Sequence, residues 1–234
     1  MDAKSLLDGL MGHITSAAGS ATAKGGLTDK AKSAWDNQSP LGKGAIAGGL
    51  LGLLLTGNAK KLMKTGVKVG GAALIGGLAY KAYEDWKSGK AAAPSTEGPV
   101  ALPEPTNTRF LPAEPAAAND LALHLVQAMV SAAKADGHVT AEESSKIRSQ
   151  LAQLGLGIEA EQMISKELEA PLDAGRIAAL ARTEEEAAEL YAASLLVIDP
   201  DGPAEKGYLA LLAARLNLPA GLVDHLHAKV AQLS

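Results

Sequence analysis

The chain has no cysteine among its 234 residues, so disulfides, thiolate metal sites and cysteine nucleophiles are all excluded. Aromatic residues are nearly as scarce at 3%, with a single Phe. The 47% of hydrophobic residues are therefore almost all Ala, Leu, Ile, Val and Met, a palette that suits closely packed helices better than a β-sandwich. Residues 1–90 contain no Arg, and no acidic residue occurs between Asp36 and Glu84. That half carries 12 Lys against 6 acidic residues, whereas the remainder carries 10 basic and 20 acidic ones. A net charge of −4 thus conceals a basic half and an acidic half, which implies different partners for each. Nucleic acid is disfavoured for both, since the basic half lacks Arg and interleaved aromatics.

Four regions follow from composition. Residues 1–40 form an N-terminal amphipathic or flexible segment; Asp2, Lys4 and Asp8 interrupt the apolar core that a secretory signal requires. Residues 41–90 are glycine-rich and basic, and they hold two apolar runs, 44–57 and 66–83. As helices these measure roughly 21 and 27 Å at about 1.5 Å per residue, against a hydrocarbon core of about 30 Å. The first is short for a span; the second is expected to be able to span if Lys68 and Lys81 reach opposite interfaces. Tyr80, Tyr83 and Trp86 then fall where an interfacial aromatic belt would lie, and Lys60, Lys64 and Lys68 form a stripe suited to an anionic leaflet. Glycines at 44, 48 and 52 allow close approach of helices in lipid. The region is expected to associate with a membrane, the other reading being a loosely ordered glycine-rich segment. Residues 91–118 include six of the eleven prolines and read as an extended tether.

From Asn119 to Ser234 the pattern is helical throughout, and no stretch alternates as a strand, so the fold class is all-α. A first helix carries Leu121, Leu125, Val126, Met129 and Val130 and stops at Asp136-Gly137. Thr140 with Glu143 opens a second. A third covers about 158–169 before Pro171, and a short fourth runs from about 173. Thr183 with Glu186 opens a fifth as a capping box, Pro203 begins a sixth, and Pro219 begins the last. The run Glu184-Glu185-Glu186 reads as a solvated helix start.

Two turns share a spacing: Asp136 with Glu142, and Asp199 with Asp201 and Glu205. In each, an Asp precedes a Gly-containing corner and a Glu follows six residues after the Asp. If the two corners meet, their carboxylates make a hard, oxygen-only ligand set for Ca²⁺ or another divalent cation. Glu in a first helical turn and Asp-Gly in a corner are also ordinary helix-start and turn chemistry. Neither turn follows the EF-hand pattern. His124, His138, His225 and His227 have no zinc-site spacing and read as surface or core-edge residues. No GxSxG and no phosphate-binding loop is present, so no catalytic residue and no small-molecule substrate is expected, and the chain reads as a non-enzyme.

The segments AAKADGHVTAEE (Ala132 to Glu143) and LLVIDPDGPAEKGYLALLAARLNLP (Leu195 to Pro219) resemble the TerB-like, tellurite-resistance-associated family. The layout as a whole is similar to its YebE-type branch of bacterial inner-membrane proteins of unknown function. The resemblance implies a helical bundle with a pseudo-twofold repeat, an acidic cation-binding surface at Asp136, Glu142, Asp199, Asp201 and Glu205, and a link to tellurite and general stress resistance. One position departs from the repeat: Lys206 stands where the first turn has Glu143. The expectation is a module tethered to the inner membrane, with its helical domain in the cytoplasm, that binds a divalent cation or a protein partner. The other expectation is a structural envelope protein that self-associates through its glycine-rich segment without a metal-dependent role.

Overall fold

A computed structural model describes residues 7, 71–92, 103, 105–135, 158–198 and 202–232. Within them lie α1 (Gly71–Lys87), α2 (Pro115–Ala132), α3 (Ile158–Glu169), α4 (Ala174–Ala178), α5 (Glu184–Val197), α6 (Pro203–Arg215) and α7 (Ala220–Ala231). Among the described residues there is no strand, only an isolated bridge between Thr108 and Leu111. The all-α expectation holds.

Helix α5 is the axis of the bundle. Every residue from Ala187 to Val197 is buried, because α1, α2, α6 and α7 all pack against it. A helix buried on all sides has no polar face to keep, and its Ala-rich sequence lets four neighbours approach closely. Its start is fixed locally: Thr183 is the N-cap and its hydroxyl accepts from the Glu186 amide at 3.1 Å. The expected capping box closes one residue earlier than usual, since the Glu186 carboxylate accepts from the Arg182 amide at 2.6 Å.

The second apolar run departs from expectation. From Gly71 it forms α1, whose Leu74, Ile75, Leu78, Ala79 and Ala82 are buried against α5 and α7. This face meets protein, so its apolar character is explained by the core. Among the described residues no helix is long and apolar enough to cross a membrane; residues 66–70 of the run expected to span lie outside the described residues. The aromatic belt is also reassigned. Phe110 stacks edge-on to Tyr80 and Tyr83, each with ring centroids 5.6 Å apart, and Tyr83 meets Trp86 at 5.7 Å. Four of the seven aromatic residues of the chain thus form one cluster joining α1 to the proline-rich segment. That segment is no free tether where it is described: Pro105 and Phe110 are buried and α2 already begins at Pro115. The packed helical unit therefore draws in α1 and residues 105–111 ahead of Asn119, and Leu7 is buried in the same core.

Helix ends follow the sequence closely. Pro203 takes the first position of α6, whereas Pro219 serves as N-cap of α7, one position earlier than expected. Between them Asn217 adopts φ 52°, and the amides of Asn217 and Leu218 donate to the Ala214 and Ala213 carbonyls at 3.2 and 3.1 Å. This pairing closes the end of α6 through a left-handed residue. Asn tolerates that backbone and a β-branched residue does not. Asn217→Val is expected to lower stability by about 1–2 kcal/mol, while Asn217→Gly is expected to match or exceed the parent; urea denaturation midpoints of the two variants check both.

Candidate functional site

The acidic turns leave from the ends of α2 and α5, so the site is built from what surrounds those ends. Ser131 and Ser194 stand in corresponding places, each five residues before the first Asp of its turn. Both are fully buried. The Tyr208 hydroxyl, from α6, donates to Ser131 Oγ at 3.2 Å and interacts with Ser194, whose own hydroxyl donates to the Leu190 carbonyl at 2.9 Å. Burial raises the Tyr208 pKa by more than its serine bonds lower it, and the nearby Glu167 charge adds to the rise, so the hydroxyl stays protonated and remains a donor. One phenol thus joins the end of α2, the end of α5 and the beginning of α6.

A second polar group lies beside this junction. Lys134, just past the end of α2, is buried and points its ammonium at the last carbonyls of α3, donating to Glu167 O at 2.9 Å and to Ala170 O. A cation at a helix C-terminus satisfies orphan carbonyls and matches the dipole. Burial pulls the Lys134 pKa down while the Glu167 charge opposes that shift. The Glu167 carboxylate in turn accepts two bonds from the Arg176 guanidinium, one of them at 3.0 Å, a planar fork that Lys could not supply. The arrangement fixes α3 and α4 against the end of α2, and hence the point from which the first turn departs.

Of the five expected ligands, Asp136, Glu142, Asp199 and Asp201 lie outside the described residues. Glu205 is described: it sits half-buried in the first turn of α6, and its carboxylate occupies the space that a Cβ on Gly202, the N-cap, would fill. Gly202 offers no side-chain cap, so the Glu205 carboxylate takes that place over the positive end of the helix. Among the described residues no group of three or more His, Asp or Glu is placed to hold a metal ion. The remaining candidates do other work. His225 presents both ring nitrogens to carbonyls, Gly221 O at 2.6 Å and Lys90 O at 3.0 Å, while His227 Nε2 meets the Tyr191 hydroxyl at 2.8 Å, so the two rings diverge. Burial lowers the His227 pKa and raises that of Tyr191 to about 12, which keeps this pair neutral. The run at 184–186 is more than a solvated start: Tyr83 donates to Glu184 at 2.9 Å, and Arg109 pairs with Glu185 at 3.6 Å.

Sequence reading missed three buried carboxylates: Glu167 is paired with Arg176, Asp85 binds three lysines, and Glu189 binds none. Glu189 carries a visible signal, since it is the one charged residue in the otherwise nonionic run from Ala187 to Ile198.

Comparison with known proteins gives a consistent picture without a reaction. The chain is 35% identical over 108 residues to an uncharacterized protein in the ampR 5′ region of Yersinia enterocolitica, covering 46% of this chain and 78% of that protein. No solved structure matches the chain significantly. The profile of a family described as "Protein of unknown function (DUF533)" matches residues 40–230, and the chain belongs to that family.

Proposed function

We propose that this protein is a non-enzymatic, TerB-like module, of the YebE type, held at the bacterial inner membrane, whose two acidic turns bind a divalent cation and thereby set the arrangement that a protein partner reads. The supporting observation is the Tyr208 junction. Because Ser131 and Ser194 occupy corresponding positions and meet the same hydroxyl, the last described turns of α2 and α5 run out at one end of the bundle. Chains leaving from one end need little length to bring Asp136, Glu142, Asp199, Asp201 and Glu205 within reach of one ion. Calcium is the favoured occupant, since it accepts six to eight oxygens in irregular geometry. The cation lowers repulsion among the carboxylates, and Lys206 tempers its affinity. Contact with the bilayer falls to residues 44–68, through the first apolar run and the Lys60, Lys64 and Lys68 stripe, with the helical domain on the cytoplasmic side. Tellurite or general stress resistance is the setting suggested by the resemblance.

The test is thermal unfolding of the full chain with Ca²⁺, Mg²⁺ or Mn²⁺. A ligand that binds only the folded state at 100 times its Kd stabilises by about 2.7 kcal/mol. The expected result is a rise in Tm for the parent and none for Asp136→Asn/Asp201→Asn. A Tm indifferent to all three ions would end the cation reading.

A further inference from the structure

Residues 105–111 lie against α1 and α5 as a strap. Phe110 is buried between the strap and the Tyr80 and Tyr83 rings, and Arg109 reaches Glu185 on α5. At Gly76 the backbone of α1 is bare. A Cβ there would lie 2.6 Å from the Phe110 carbonyl oxygen and 3.2 Å from Glu189 Oε1, so any larger residue would displace the strap. The carbonyl and the carboxyl therefore share one notch. Glu189 has no exposed surface, and neither of its oxygens has a hydrogen-bond partner.

We infer that Glu189 is a proton-operated latch for the strap: its neutral carboxyl accommodates the Phe110 carbonyl in the Gly76 notch, and its ionisation releases residues 105–111 while the helices stay packed. A carbonyl oxygen and a carboxylate oxygen are both acceptors, and where Glu189 has no solvent-exposed surface they repel. Only the protonated acid offers a donor between them. Among the described residues no cation pairs with Glu189. Glu185 and Glu186 on α5 are themselves acidic, and Arg109 of the strap is engaged by Glu185. Helix α1 contributes Tyr80 bonded to Glu84, Tyr83 bonded to Glu184, and Lys87 over the Tyr83 ring. From α2 come Asp120, paired with Arg182, and His124; from α7 come Asp224 and His227, the latter on Tyr191.

Burial, and after it the Glu186 and Glu185 charges, push the Glu189 pKa well above the ordinary carboxylate range. The sign follows from that direction. Stability linked to this group is fully present below the ordinary value of 4.5 and declines as pH rises toward the folded-state value. The strap is the element that yields first, because it is held by the buried Pro105 and Phe110, one exposed ion pair and a short turn in which Thr108 bonds back to Pro105. This latch is independent of the acidic turns and of any cation.

Trypsin reads it directly, since the Arg109 side chain is 71% exposed while the following bond is tied to the buried Phe110. The full chain and Glu189→Gln are digested from pH 6 to pH 9.5, and the rate of cleavage after Arg109 is divided by that after Arg215 in α6. The side-chain amide introduced by Glu189→Gln can donate to the Phe110 carbonyl at every pH. For the parent this ratio is expected to climb at least about 5-fold over the range, given that one pKa unit is a tenfold change in population; for Glu189→Gln it stays flat. A flat ratio in the parent, or an equal climb in both proteins, overturns the latch. If Glu189→Gln does not fold, the parent decides alone: cleavage at both sites accelerating together means the whole bundle loosens, and the latch is then rejected.

Discussion

A chain beginning at Asn119 is expected to lose cooperative unfolding, although the helical sequence pattern is strongest from that residue onward. The loss comes from what lies on α5. Removing residues 1–118 strips α1 from α5 and α7 and takes away Phe110 with the rest of the strap. Leu74, Ile75 and Leu78 are each at most 3% exposed. At about 1.5–3 kcal/mol per fully buried large aliphatic side chain, these three alone contribute roughly 5–9 kcal/mol, which is comparable with the whole stability of an ordinary domain. The deletion also starts the chain inside α2, past its N-cap Glu114, whose carboxylate accepts from the Ala117 amide at 2.7 Å. The face left bare on α5 includes apolar residues buried against α1, so self-association accompanies the loss. Circular dichroism melting of the fragment beside the full chain checks this. A sharp transition for the fragment at the parental temperature would mean that α1 and the strap are appendages.

That result bears on how a glycine-rich apolar stretch is read. Gly76 and Gly77 in a run of Ala, Leu and Ile suggest a helix made for lipid, where small residues permit close helix contact. The same smallness serves a packed protein core in which α5 is surrounded by four helices, and Gly76 is needed because the Phe110 carbonyl takes the place of its side chain. Periodicity registers an apolar face but not the identity of what covers it. Only a long-range contact decides between lipid and protein, and the partners here are more than 100 residues away in α5 and α7.

Local signals were more legible. Thr183 capping α5, Pro203 opening α6 and the break near Pro171 depend on a few neighbouring residues, and they appear where the sequence puts them. The deviations are by one position, as with Pro219, whose carbonyl accepts from the amides of both Leu222 and Val223, at 2.9 and 3.1 Å. At the candidate site the correspondence of Ser131 and Ser194 is readable as a repeat around the two acidic turns. The fork of Arg176 on Glu167 and the burial of Lys134 are not, since neither residue type nor spacing reveals that three segments converge there. Glu205 was legible as a first-turn carboxylate, and its position over Gly202 fits that role.

Asp85 carries the other large expected effect. It is 5% exposed on α1, and it accepts from Lys81 at 3.0 Å, from Lys90 at 2.8 Å and, across the helix interface, from Lys229 of α7 at 2.9 Å. Gly89, at φ 69°, turns the chain so that the Lys90 amide bonds the Asp85 carbonyl at 3.1 Å and its side chain returns to the same carboxylate. Burial opposes ionisation of Asp85, but the bonds from Lys90, Lys229 and Lys81 together outweigh it and hold the carboxyl well below the usual carboxylate range. Lys90 is largely exposed and Lys81 partly so, which weakens their shares through solvent screening; Lys229, at 12%, is the partner that matters most. Asp85→Asn keeps the shape and leaves three ammonium groups without their counter-charge, for an expected loss of about 2–4 kcal/mol at pH 7. Because the folded-state pKa is depressed, the contribution is present above the ordinary value of 3.8 and is lost as pH falls below it. Urea denaturation should therefore give a constant gap between parent and variant from pH 5 to pH 8 and a shrinking one toward pH 3, while Asp120→Asn, at the exposed pair with Arg182, should change stability by less than about 0.5 kcal/mol. An Asp85→Asn protein as stable as its parent would mean that α1 does not dock on α7, and the lipid-facing reading of the glycine-rich run would return.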